Sequence, residues 1–151
     1  MKEIKLSNVD KVIQVDDEDF DRLSQFSWCY FDKSGGRITR SRNIPIANEV
    51  MRDHLSMFDH IDRNSLNNQK FNLRKCSMSQ NCMNRTKRKN TKSKYKGVTF
   101  YSDRNKWVSR ITLKQKVFML GAFNTEQEAA LAYNRKAVEL FKEFALLNVV
   151  P

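Results

Sequence analysis

Over the first fifty residues, apolar and polar positions alternate in short runs: Ile4-Lys5-Leu6, Val12-Ile13-Gln14-Val15 and Arg37-Ile38-Thr39-Arg40. A period of two is the mark of short, half-buried strands. Between the last two runs, Asp16-Asp17-Glu18-Asp19 leads into Phe20-Asp21-Arg22-Leu23, and acids gathered there suit the positive end of a helix. Lys33-Ser34-Gly35-Gly36 reads as a hairpin turn. Phe20, Leu23, Phe26, Trp28 and Tyr30 are the expected core of this β-rich part.

The pattern changes at residues 86–92, Thr-Lys-Arg-Lys-Asn-Thr-Lys, which contain no apolar side chain and cannot bury a core. They read as a basic linker, and their composition equally suits a nuclear-localisation signal or an arm along a phosphate backbone. Beyond it, three aromatic-rich strands are expected at about 96–101, 106–113 and 116–121. A helix follows, opened by the capping box Thr125-x-x-Glu128, with Ala130, Tyr133, Ala137, Leu140 and Phe141 on one face. The small alanines let this helix lie close to a sheet. Trp107, Ile111, Phe118, Leu120 and Phe123 complete its expected core. The fold class is therefore α+β, with domains at 1–85 and 93–151 joined by the linker.

At 151 residues the chain suits one ordinary domain or two small ones. No apolar run approaches a membrane span, and Met1-Lys2-Glu3-Ile4-Lys5-Leu6 lacks a signal-peptide core. A soluble, intracellular protein is expected, cytoplasmic if its source is prokaryotic or viral, with no membrane partner and no obligate protein partner evident. Monomer and dimer both stay open. Cys29, Cys76 and Cys82 contain no Cys-x-x-Cys pair, so neither a disulfide framework nor a zinc site is expected.

The formal net charge of +11 is unevenly placed. Arg85, Lys87, Arg88, Lys89, Lys92, Lys94, Lys96, Arg104, Lys106, Arg110, Lys114 and Lys116 face the single acid Asp103, a surplus equal to the whole net charge. With Tyr95, Tyr101 and Trp107 among them, the segment has the footprint of a nucleic-acid surface. A solvated face is the plainer account of such a run.

Candidate chemistry lies just upstream, in Asp59-His60-Ile61-Asp62-Arg63-Asn64, then Asn67-Asn68, Asn72-Leu73-Arg74 and Ser79-Gln80-Asn81. An adjacent carboxylate and imidazole supply a metal ligand and a general base, and an amide further on can complete a coordination sphere. Taken singly, each asparagine is more simply a turn residue. Asn64, Asn67 and Asn68 are read as hairpin and loop residues, Asp62 as a turn or salt-bridge residue, and His54 as a loop residue without function.

In order and spacing, Phe58 to about Arg85 resembles the HNH endonucleases, whose ββα-metal fold carries such groups on two short strands and the following helix. The resemblance implies that Asp59 and Asn81 are metal ligands, His60 the base that activates water, and Asn72 the side chain that orients it. It also implies a divalent cation, magnesium first. Many members carry a His-Arg pair in the strand before the Asp-His motif, where Ala47-Asn48 stands here.

Tyr95-Lys96-Gly97-Val98, Lys106-Trp107, Leu120-Gly121-Ala122-Phe123, Glu128-Ala129-Ala130-Leu131-Ala132-Tyr133 and Ala145-Leu146-Leu147-Asn148 are similar to the APETALA-two, or ethylene-response-factor, DNA-binding domain. The similarity spans Ser93 to Asn148 and implies a three-stranded sheet set in the major groove of double-stranded DNA. It implies that Lys96, Thr99, Tyr101, Arg110 and Thr112 face DNA, and the charge pattern adds Lys94, Arg104, Lys106, Lys114 and Lys116. The plant domains usually have arginines at Thr99 and Tyr101 and an acid at Arg110, so their base preference does not carry over. A nuclease motif followed by such a module resembles HNH homing endonucleases, mobile-element enzymes that cut DNA at preferred sites. A DNA-binding regulator with an inactive nuclease half is the alternative, and an RNA-binding module a third reading.

Overall fold

The computed structural model describes residues 1–32, 36–40, 43–87 and 92–151. The fold is α+β, built from small antiparallel sheets and helices. Lys33, Ser34 and Gly35 of the expected hairpin turn, and Arg88, Lys89, Asn90 and Thr91 of the expected linker, lie outside the described residues. The chain divides into two compact units, Met1–Met78 and Ser79–Pro151.

In the first unit, β1 (Lys2–Lys5) pairs antiparallel with β2 (Val12–Val15), placing Ile4 opposite Ile13. Helix α1 (Asp17–Leu23) carries three acids in its first turn, as its dipole favours. Strands β3 (Cys29–Phe31), β4 (Arg37–Arg40) and β5 (Ile44–Pro45) form a three-stranded sheet in that order. Ile13, Val15, Leu23, Trp28, Ile46 and Val50 form the centre of the core, each large aliphatic contributing about 1.5–3 kcal/mol by burial. Leu23 and Trp28 are fully buried, whereas Phe20, Phe26 and Tyr30 pack half-buried against them. The Trp28 indole donates to the Leu23 carbonyl at 2.9 Å, so burying it leaves no polar atom unmet.

Ala47 and Asn48, expected in a strand, lie instead in helix α2 (Ile46–Met51). Pro45 precedes the helix with the φ of -69° that its ring imposes. The buried Asn48 amide then donates to the carbonyls of Asp53 and Ser56, both at 2.7 Å, tying the helix to the loop that leads into β6 (Met57–His60). Strand β6 pairs antiparallel with β7 (Leu73–Cys76), and this hairpin carries the candidate chemistry.

Helix α3 (Met78–Met83) follows, with the division between units falling one residue into it. In the second unit, β8 (Val98–Tyr101), β9 (Lys106–Leu113) and β10 (Lys116–Phe123) form an antiparallel sheet ordered β10-β9-β8. Helix α4 (Glu126–Phe141) packs on one face of it. Its capping box is formed: Glu128 N–H donates to Thr125 Oγ1 at 3.2 Å and Thr125 N–H to Glu128 Oε2 at 3.1 Å. Ala129, Ala130 and Ala137 are fully buried, which brings Tyr133 against Gly97. A Cβ at Gly97 would stand 2.1 Å from the Tyr133 ring, and its φ of +77° also demands glycine. Among the described residues no helix is long and apolar enough to cross a membrane.

Candidate functional site

Cross-strand register builds the site. Antiparallel partners on β6 and β7 share a face, and the pairs are Asp59 with Arg74 and His60 with Leu73. Asp59 is buried, 6% exposed, and its Oδ2 accepts from Arg74 Nη2 at 2.7 Å and Nε at 3.0 Å. Burial of a carboxylate is costly without such a partner.

Half-buried His60 ends β6, and its Nε2 lies 3.0 Å from Asn68 Oδ1. Asn68 is fully buried, and its Nδ2 donates to the Ser65 carbonyl at 2.9 Å. That second bond turns the amide oxygen toward the ring, an arrangement that matches the tautomer with the proton on Nε2.

Asn72 is buried too, but it serves the connecting loop. Its Nδ2 donates to Asp62 Oδ1 at 2.9 Å and to the Asn67 carbonyl at 2.8 Å, and its Oδ1 accepts from Asp62 N–H at 3.0 Å. Asp62 works against burial, yet hydrogen bonds from Asn64 N–H and the Asn72 and Asn67 amides, with His60 nearby, hold its carboxyl below the ordinary range. Asp62 is thus a hydrogen-bond hub at the turn. His54 is exposed, with Nε2 3.9 Å from Glu49 Oε1.

The loop is braced from α1. Asp16 accepts from Gln69 Nε2 at 3.1 Å and Lys70 N–H at 2.8 Å, and Lys70 Nζ pairs with Glu18 and, at 3.0 Å, with Asp19. Asn81 lies half-buried on α3, in the second unit as the chain divides. Among the described residues no three His, Cys, Asp or Glu side chains cluster as a metal cage. The Asp59 carboxylate is a hard oxygen donor, of the kind that suits a magnesium ion keeping several waters.

In the second unit, register places Thr99 beside Val108 and Ala122, Tyr101 beside Lys106, Arg110 beside Met119, and Thr112 beside Val117. These residues share the sheet face opposite α4. Thr99, Tyr101, Lys106, Arg110 and Thr112 of the expected DNA-facing set are therefore gathered together. Val117 at 51% and Met119 at 62% exposure join them. The alternation of Val117 and Met119 with the packed Phe118 and Leu120 was their signal in the sequence.

The other expected contacts fall elsewhere. Lys96 Nζ donates to the carbonyls of Met83 at 2.5 Å and Arg85 at 2.8 Å, neutralising the negative end of α3. Lys94 lies over the Tyr95 ring at 5.1 Å, and Lys116, on the helix side of the sheet, over Phe118 at 5.3 Å. Arg104 sits beside Asp103 at 3.6 Å, and Lys114 occupies the β9–β10 turn with φ of 46°.

No family model matches the chain. A protein of Acanthamoeba polyphaga mimivirus named as an uncharacterized HNH endonuclease is 39% identical over 92 residues, covering 61% of this chain and 46% of the viral protein. An AP2-like ethylene-responsive transcription factor of Arabidopsis thaliana is 43% identical over 58 residues, 38% of this chain and 12% of the plant protein. The chain thus spans about half of its viral relative and a small part of its plant one.

Proposed function

We propose that the protein is a metal-dependent DNA endonuclease of the HNH homing type, with residues 1–85 as the nuclease part, 86–92 as linker and 93–151 as DNA anchor. The observation that carries this reading is the pairing of a buried Asp59 carboxylate with an adjacent His60 whose ring is held at Nε2 by a buried amide. Such a ring has a fixed orientation and a favoured tautomer, which a general base needs. His60 takes the proton of the attacking water at Nδ1, the nitrogen left basic in that tautomer, and Asn68 steadies the imidazolium that forms. Asp59 would be a ligand of the divalent ion, with Asn81 kept as the second ligand on the HNH resemblance alone, and the ion would stabilise the charge developing on the phosphate and leaving oxygen.

The sheet face of the second unit supplies the other half of the reading. Arg110 and Lys106 offer charge and donors, Thr99, Tyr101 and Thr112 offer hydroxyls, and Val117 and Met119 offer apolar contact suited to thymine methyl groups. Tethering such a surface to a nuclease raises the local concentration of its active site on DNA. The similarity to a viral HNH endonuclease and to a plant transcription factor supports each half separately.

A second reading is a DNA-binding regulator whose nuclease half is inactive. The engagement of Asp59 by Arg74 favours it, because the proposed metal ligand already has a cation. A supercoiled-plasmid assay decides between them: magnesium-dependent nicking or cutting that stops on chelation supports the enzyme, and binding without cleavage supports the regulator.

A further inference from the structure

The buried Asp59 carboxylate needs a partner and Arg74 supplies it, yet the proposed chemistry gives Arg74 no part. Its geometry is specific. Two guanidinium nitrogens converge on one oxygen, Oδ2, and the side chains are only 7% and 16% exposed. The pair is set by register, since Arg74 lies directly opposite Asp59 across the two strands. Arginine cannot shed its charge at any ordinary pH, so the pairing cannot be relieved by proton loss.

We infer that Arg74 is a positioning residue for Asp59 that makes divalent-cation binding conditional on DNA; the inference rests on the nuclease reading above. A cation approaching Asp59 in the DNA-free protein meets a carboxylate already neutralised, with a full positive charge held within hydrogen-bond distance of it. Little Coulomb energy is gained there, and partial burial leaves few waters to screen the two cations from each other. A phosphodiester changes that balance, because its negative charge offsets the second cation and its oxygens supply further hard ligands. The ion and the duplex therefore bind cooperatively, and by linkage each tightens the other by the same factor.

Manganese binding to the full chain, followed by the loss of free-ion resonance signal, tests this with and without a phosphorothioate duplex that resists cleavage. Binding by the duplex alone is subtracted. The wild type is expected to bind manganese about tenfold more tightly in the presence of duplex, a coupling of ordinary size. Arg74→Gln keeps a donor for Asp59 but removes the charge, and is expected to close most of that gap by tightening binding to the DNA-free protein. Arg74→Lys, which keeps the charge, is expected to preserve it.

An equal gap in wild type and Arg74→Gln overturns the inference, as does wild-type affinity that ignores the duplex, a result that stands even if Arg74→Gln fails to fold. The nuclease reading fails differently. Manganese binding that is absent in every state, or unchanged in Asp59→Asn, removes the metal site itself.

Discussion

The β6–β7 hairpin with its loop and the open face of the β8–β10 sheet put their side chains to different uses. The β6–β7 hairpin and its loop bury Asp59, Asn68 and Asn72, whereas the β8–β10 sheet leaves Val117 and Met119 in the open beside Arg110. A buried polar side chain whose bonds are met fixes its neighbours. An exposed apolar side chain fixes nothing and keeps its area for a partner. The contrast separates a part that holds atoms in place from a part that offers a surface.

The largest test of that contrast is His60→Ala. Plasmid cleavage should fall by about 10²–10⁴-fold, the range for loss of a general base, while gel-shift affinity for DNA stays near wild type. A parallel loss of binding would make His60 structural. Next comes Gly97→Ala, which forces a Cβ into the Tyr133 ring at a positive φ. The second unit should lose about 3 kcal/mol in denaturant unfolding, and a neutral result would mean that α4 packs less tightly than its alanines suggest.

Asn68→Ala probes the holding function more finely. It should destabilise the protein by about 1–3 kcal/mol, since the His60 ring and the Ser65 carbonyl lose their partner. It should also lower cleavage rate more than metal affinity. If Asn72→Ala reduced the rate more than Asn68→Ala at equal stability, the assignment of the orienting amide would be reversed.

On the surface side, Arg110→Ala and Lys106→Ala should each lower the slope of log affinity against log salt by roughly 0.9. Lys96→Ala should leave that slope unchanged and lower thermal stability instead, because its ammonium is committed to the end of α3. Equal slopes for all three would erase the distinction between the reading face and its support.

The smallest effect concerns Asp53. Hydrogen bonding from Ser56, then Leu55 N–H and Lys75, draws its carboxyl down to about 2. A depressed carboxylate stabilises the folded state above its unfolded value near 3.8 and ceases to do so as pH falls through about 2. The stability difference between wild type and Asp53→Asn should therefore be steady at neutral pH and shrink across that acid window.

Much of the second unit was legible because its signals are periodic and local. The capping box at Thr125 and the apolar face of α4 could be read directly, and 106–113 coincides with β9 as formed. The first unit yielded less. Helix α2 is six residues long and buried on nearly every side, so it has no amphipathic period, and Pro45 resembles a strand edge as readily as a helix start. Asn68 could not be singled out among its neighbours, since asparagines in a loop usually serve the loop. Its contact with His60 arises only when the chain returns eight residues later. Arg74 was visible as part of Asn-Leu-Arg, but its pairing with Asp59 depends on strand register, which no single stretch of sequence specifies.

The β10 strand carries one irregularity whose effect is combinatorial. Its register shifts between Met119 and Gly121, adding one residue that changes the parity of the strand. Phe118 and Leu120 can therefore point to the helix side before the shift, and Phe123 after it. Losing one residue here would turn the last part of the strand inside out, sending Phe123 into solvent and a small residue into the core. Among length variants of this protein, those altering 119–121 should be the rarest survivors, even where substitutions at the same positions are accepted.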